Sequence, residues 1–189
     1  MFANNRCWAN FLLTDLRASF WNLSGEDTIA GTQVQLFTNL HQVVDDASLP
    51  TGEIAKFPGI TTGKGFTLNE KEPFIDHCFV LEERPKEVGI DTRGNDLRPA
   101  IALHHTKSGI HLQMDTTEPA FQVYTGEGIN VPEINEGGHK VPARGPRSGL
   151  ALEPSRYVNA INHPEWKHMV VLKKGQTWGS KTRFTTWKA

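Results

Sequence analysis

Between Pro99 and Thr125 the chain alternates apolar and polar side chains, breaks at Thr106-Lys107-Ser108-Gly109, and then resumes the alternation. Ile101, Leu103 and His105 lie on one side of this pattern, and Ala100, Ala102 and His104 on the other. Ile110, Leu112 and Met114 continue it after the break. A period of two belongs to extended strands, whose successive side chains point to opposite faces. With the four central residues as the turn, Leu103 falls opposite Leu112 and Ile101 opposite Met114, which makes one apolar face. A slip of one residue would scramble that face, so the register is tightly specified. A third strand is predicted from Ala120 to Thr125.

The remaining chain follows the same habit. Its 17 Gly and 11 Pro punctuate short β-branched or alternating runs, and no long stretch has helical periodicity. Further strands are predicted at Gln33 to Thr38, Gln42 to Asp45, His77 to Leu81, Gly149 to Glu153, Met169 to Lys173 and Thr182 to Trp187. The last two flank Lys174-Gly175-Gln176, a hairpin-like connection. Gly126 to Arg147 is rich in Gly, Pro and charge and reads as a long surface loop. Asn159 to Trp166 reads as a turn or one short helical segment. The expected fold is all-β, an antiparallel β-sandwich within one domain or a large part of one.

Charge excludes some functions. The 20 basic and 21 acidic residues nearly cancel, which suggests neither nucleic acid nor an anionic membrane surface as partner. Lys173, Lys174, Lys181 and Arg183 cluster near the end and are expected to face solvent. Cys7 and Cys78 match no zinc or redox spacing and read as reduced thiols. No apolar run approaches membrane-spanning length and no leader cleavage site stands out, so a cytoplasmic location is expected.

One residue offers chemistry. In Gly149-Leu150-Ala151-Leu152-Glu153-Pro154, Leu150 and Leu152 share one face of a strand, while Ala151 and Glu153 share the other. Pro154 lacks an amide donor and predicts that the strand stops at Glu153. A carboxylate fixed beside an apolar run is partly desolvated and more basic, as a general base must be. Taken alone, Glu153 reads first as an ordinary surface carboxylate, Asp76 as a turn residue and Gln122 as a cross-strand partner on a solvated face. His77 should point away from Asp76 and read as structural. His104 and His111 face each other across the hairpin, with no third metal ligand evident, and read as solvated. Trp8, Trp21, Trp166, Trp178 and Trp187 are of a type that stacks on flat ligand faces, but most read more simply as core or rim.

Several blocks together carry a resemblance. Phe20-Trp21-Asn22-Leu23-Ser24-Gly25, Pro50-Thr51-Gly52, Ile75-Asp76-His77-Cys78-Phe79, Thr116 through Gly126, and Leu152-Glu153-Pro154 are similar, in order and spacing, to the aldose 1-epimerase (galactose mutarotase) family. The resemblance runs from about Ser19 to the C-terminus and covers the C-terminal half of the usual family domain. It implies a galactose mutarotase-like sandwich, incomplete on its N-terminal side. It also implies interconversion of the α and β anomers of a free hexose such as galactose or glucose. The implied chemistry opens and recloses the sugar ring by paired proton transfers, with neither metal nor organic cofactor. By that resemblance Glu153 is the base, Asp76 binds sugar hydroxyls, Gln122 orients the substrate, and Ser19 and Phe20 lie beside it.

The sequence also departs from that pattern. The family's acid histidine precedes the Ser-aromatic-aromatic-Asn-Leu run, and here Ala18 stands in that place. Residues 1–18 are therefore expected to form an atypical segment, with 19–189 as the family portion. Without the family's other half, unpaired sheet edges are expected to favour self-association. Two alternatives follow: a non-catalytic carbohydrate-binding module, and an inactive fragment. Action on a phosphorylated sugar ranks lower, because Arg144 and Arg147 form no definite phosphate nest.

Overall fold

A computed structural model describes residues 20–136 and 139–189. Ala18, Ser19, Cys7 and Trp8 lie outside the described residues. These form thirteen strands: β1 (Phe20–Trp21), β2 (Thr32–Leu36), β3 (Leu40–Val44), β4 (Pro50–Lys56), β5 (Gly65–Thr67), β6 (Asp76–Val80), β7 (Arg98–His105), β8 (Ile110–Thr116), β9 (Ala120–Tyr124), β10 (Ile134–Glu136), β11 (His139–Val141), β12 (Leu150–Ser155) and β13 (Thr182–Lys188). Three single-turn 3-10 helices complete the regular structure of the described residues. The architecture is all-β and antiparallel, as the alternation predicts. One sheet runs β1-β12-β9-β6-β3-β4, a second runs β13-β8-β7-β2-β5, and β10 and β11 form a separate hairpin.

The two large sheets share a core. Leu36, Ile101, Leu112 and Met114 from the five-stranded sheet bury with Phe79, Phe121, Leu150 and Leu152 from the six-stranded one. The hairpin register is the predicted one, with Leu103 opposite Leu112 and Ile101 opposite Met114. His104 and His111 lie opposite each other on the outer face. They are half-buried rather than solvated, because their rings stack at 4.1 Å and Trp187 stacks on His111 at 4.9 Å. His77 points inward, away from Asp76, and meets Phe57 edge-on at 4.7 Å and His41 at 5.5 Å.

A second, smaller core covers one end of the outer face of the six-stranded sheet. There Cys78, Val80 and Ala120 pack beneath Tyr157, Ala160, Trp166 and Met169. Arg156 enters this region and pairs with Glu118, both nearly inaccessible to water. Its guanidinium also donates to the Ile90 carbonyl at 3.0 Å.

Three further expectations need correction. Residues 169–173 form no strand. Met169 closes the 3-10 turn Lys167–Met169 and is buried in the second core, so a hairpin around Gly175 would pull it out. β13 pairs instead with β8, placing Phe184 against Trp21 at 5.1 Å. Lys173, Lys174, Lys181 and Arg183 face solvent as expected, and Arg183 also reaches back so that its Nη2 lies 2.8 Å from Oδ2 of the buried Asp115. The 126–147 loop contains the β10–β11 hairpin, and its end is fixed by buried Arg147, which donates to the Pro73 and Asn69 carbonyls at 3.2 and 2.9 Å. Finally, Pro154 lies inside β12, opposite Phe121, and the strand continues to Ser155. Among the described residues β1 pairs only with Leu150 and Ala151, so Pro154 lies beyond the doubly paired segment, where a missing donor is tolerated.

Removing one member of a buried ion pair strands the other charge. Arg156→Ala should destabilise the fold by about 3–5 kcal/mol, whereas replacing both partners by apolar residues should be far milder. Urea denaturation of the two variants checks this, and equal stability of Arg156→Ala and wild type would refute it. His77 gives a pH prediction. Burial lowers its pKa, and the charge of His41 lowers it further against the opposing effect of Asp76. The unfolded chain therefore takes up the proton first as pH falls through about 6.5, and stability contributed by neutral His77 is lost on acidification. His77→Phe should show a smaller drop in melting temperature between pH 7.5 and 5.5 than wild type.

Candidate active site

β9 brings the predicted site residues together. Gln122, at its centre, lies opposite Cys78 of β6 on one side and Glu153 of β12 on the other. In the next row of the same face, Tyr124 lies opposite Asp76 and Ala151, and Ala151 lies opposite Phe20. Asp76, Gln122, Glu153 and Phe20 thus share one sheet face, opposite the main core. This is the face covered at its other end by the second core, so its polar half stays open.

The geometry is local and well tied. Gln122 Nε2 donates to Asp76 Oδ1 at 2.6 Å, which fixes the amide in one orientation. Asp76 begins β6 directly after Ile75, whose N–H donates to Thr125 Oγ1 at 2.9 Å and whose carbonyl accepts from the Thr125 N–H at 2.9 Å. Glu153 is half-buried, directly across from Gln122, where cross-strand Cβ atoms are about 4.5–5.5 Å apart. Asp76 and Glu153 therefore stand two strand spacings and one row apart, roughly 12 Å on the diagonal, with Gln122 between them.

A pocket of about 210 Å³ opens beside this face. Its polar lining includes Asp76, Gln122 and Gln42, and its apolar wall includes Val44, Pro50, Phe74 and Val158. Neither lysine nor arginine is among the lining residues. Glu153 lies one strand beyond Gln122, outside this lining. Gln42 is a scaffold rather than a free ligand-binding group: it is 1% exposed and exchanges hydrogen bonds with the Val158 backbone at 2.7 and 3.3 Å. Cys78 also lines the pocket, but burial pushes its thiol up to about 12, so it stays protonated and is a poor nucleophile.

Sequence reasoning missed Phe74, which lines the pocket. It lies two residues before Asp76, and that short spacing is the signal that could have drawn attention to it. At the end of β9, Gly126 has φ +82°, and a Cβ there would come 2.3 Å from the Gly149 carbonyl. Only glycine lets the β9 exit cross the β12 entry so closely. No group of three metal-ligating side chains occurs among the described residues, nor is any of their helices long and apolar enough to cross a membrane.

The arrangement resembles that of known proteins. A family model described as aldose 1-epimerase matches residues 19–185. The bifunctional protein GAL10 of Kluyveromyces lactis is 37% identical over 171 residues, covering 88% of this chain and 23% of that protein. An uncharacterized isomerase of Saccharomyces cerevisiae is 34% identical, and the galactose mutarotase of Sus scrofa 31%, each match covering 88% of this chain and 47% of the relative. The chain thus spans about half the length of those two relatives and about a quarter of the first. A GalM/aldose epimerase homologue from C. elegans has the same fold, with a TM-score of 0.65 and 21% identity over 90% of this chain and 50% of its own. The match of the family model over residues 19–185, most of the chain, establishes that the chain belongs to the aldose 1-epimerase family.

Proposed function

We propose that this chain carries the base-bearing, sugar-binding part of an aldose 1-epimerase acting on neutral hexoses such as galactose or glucose. The observation that carries the reading is the register of β9, which sets Asp76, Gln122 and Glu153 on one open face. Glu153 removes the proton from the anomeric hydroxyl as the bond from C1 to the ring oxygen breaks and the ring oxygen takes a proton from a general acid, the role that the resemblance gives to a histidine in the place of Ala18. The aldehyde rotates about the C1–C2 bond, and return of both protons recloses the ring on the other face. Asp76 accepts hydrogen bonds from sugar hydroxyls, and Gln122, held by Asp76, orients the substrate between the two carboxylates. A pocket with a carboxylate and no cation among its lining residues repels a phosphate, which supports neutral sugars over phosphorylated ones.

Ala18 supports a second reading. It occupies the place that the family resemblance gives to the acid histidine, and a methyl group cannot protonate the ring oxygen. In that reading the chain binds hexoses without interconverting them.

Polarimetry of freshly dissolved α-glucose separates the two. Glu153→Gln should lower any anomerisation about 100- to 10,000-fold with little change in stability, and undiminished turnover would refute the base assignment. Asp76→Asn should raise the Michaelis constant or the dissociation constant about tenfold, since it removes a charge-assisted acceptor. Ala18→His should raise the rate where an acid is the missing part, and no gain would favour the binding module.

A further inference from the structure

Phe74 is half exposed, at 50%, on the wall of the pocket that also holds Asp76 and Gln122. A phenyl ring left in water gains nothing from burial, yet its backbone here is fixed on both sides. The Phe74 N–H donates to Glu72 Oε2 at 3.0 Å. Buried Arg147 grips the preceding Pro73 carbonyl at 3.2 Å, and Ile75, which follows, is tied through N–H and carbonyl to Thr125. The ring is therefore presented to the pocket on a backbone with little freedom to move.

The position of the ring relative to Glu153 determines which part of a ligand it meets. Strands lie about 4.8 Å apart and Asp76 sits one row along from Gln122, so a hexose with its C1 oxygen at Glu153 on β12 runs obliquely past Gln122 on β9 and turns its far end toward Asp76 on β6. Val44 of β3 and Pro50 of β4 form the apolar wall beyond, and Phe74 joins it from the residues just before β6. The far end is where gluco- and galacto-configured sugars differ. An axial 4-hydroxyl leaves the hydrogens of C3, C4 and C5 together on one ring face, a patch suited to an aromatic ring. An equatorial 4-hydroxyl interrupts it.

Resting on the hexose-binding reading above, we infer that Phe74 is a specificity-determining residue of this site, packing on that C–H patch and favouring galacto- over gluco-configured hexoses. Val44 and Pro50 complete the apolar surface, while Asp76 takes the neighbouring hydroxyls.

Calorimetric titration of the full chain with galactose and with glucose tests this without requiring turnover. Wild type should bind galactose more tightly. Phe74→Ala should weaken galactose binding about five- to tenfold, the scale of one aromatic packing contact, and change glucose binding less than twofold; Phe74→Tyr should restore the preference. Because Phe74 is half exposed, the melting temperature of each variant should match wild type, and this is measured alongside. Equal loss for both sugars, or no loss for either, overturns the role of Phe74 while leaving hexose binding intact. Absence of binding of either sugar by wild type overturns the hexose reading itself, and this inference with it.

Discussion

The pairing of β9 with β6 on one side and β12 on the other is the constraint on which the rest depends. Because side chains alternate strictly along each strand, one register decides both faces at once. With Phe121 opposite Phe79 and Pro154, and Val123 opposite His77 and Leu152, the inner face closes the main core. The same register places Gln122 between Cys78 and Glu153 outside. A slip of one residue would bury the polar row and expose Phe121 and Val123. The apolar core and the candidate site are therefore enforced by one set of backbone hydrogen bonds, and any stability gained by Phe121 also secures Gln122.

How much of this was legible depends on where each signal lives. The β7–β8 hairpin was legible because its alternation and turn lie within one short stretch, and Leu103–Leu112 pairing follows from counting outward from the turn. The same-face placement of Ala151 and Glu153 was legible for the same reason. The partner of β13 was not. Thr182 to Trp187 alternates as a strand should, but nothing local says that it pairs with β8, nearly seventy residues earlier in the chain, instead of with the run before it. Met169 decided the matter through burial with Tyr157 and Trp166, a contact visible only once the chain is folded. Pro154 misled because its missing donor matters only where a partner strand requires it, which depends on the length of β1. Gly126 to Arg147 misled through composition, which says nothing about Arg147 anchoring the loop to Pro73 and Asn69.

The second core explains why the outer face is only half open. Outward residues of β6 and β9 change character along their length, from Asp76 and Gln122 at one end to Val80 and Ala120 at the other. The apolar end is roofed by the segment carrying Tyr157, Trp166 and Met169, and the polar end is not. Gln42 and Cys78 stand at the boundary: Gln42 clamps the Val158 backbone, and Cys78 belongs to the second core while touching the pocket. The pocket is thus the place where the roof stops, and its apolar wall joins Val158, next to the roof's Tyr157, to Val44 and Pro50 of the sheet and to Phe74.

That origin has a chemical consequence. A site formed where an apolar roof ends over a polar sheet is bound to offer two unlike surfaces, hydrogen-bonding groups beneath and hydrocarbon at one side. A pyranose is built the same way, with hydroxyls around its rim and C–H bonds on its faces. Asp76 and Gln122 match the rim, and Phe74, Val44 and Pro50 match a face. Glu153 stands apart from the hydrocarbon wall, one strand beyond Gln122. In the proposed function that distance separates recognition from proton transfer along the strands, so that either one would be altered without dismantling the other.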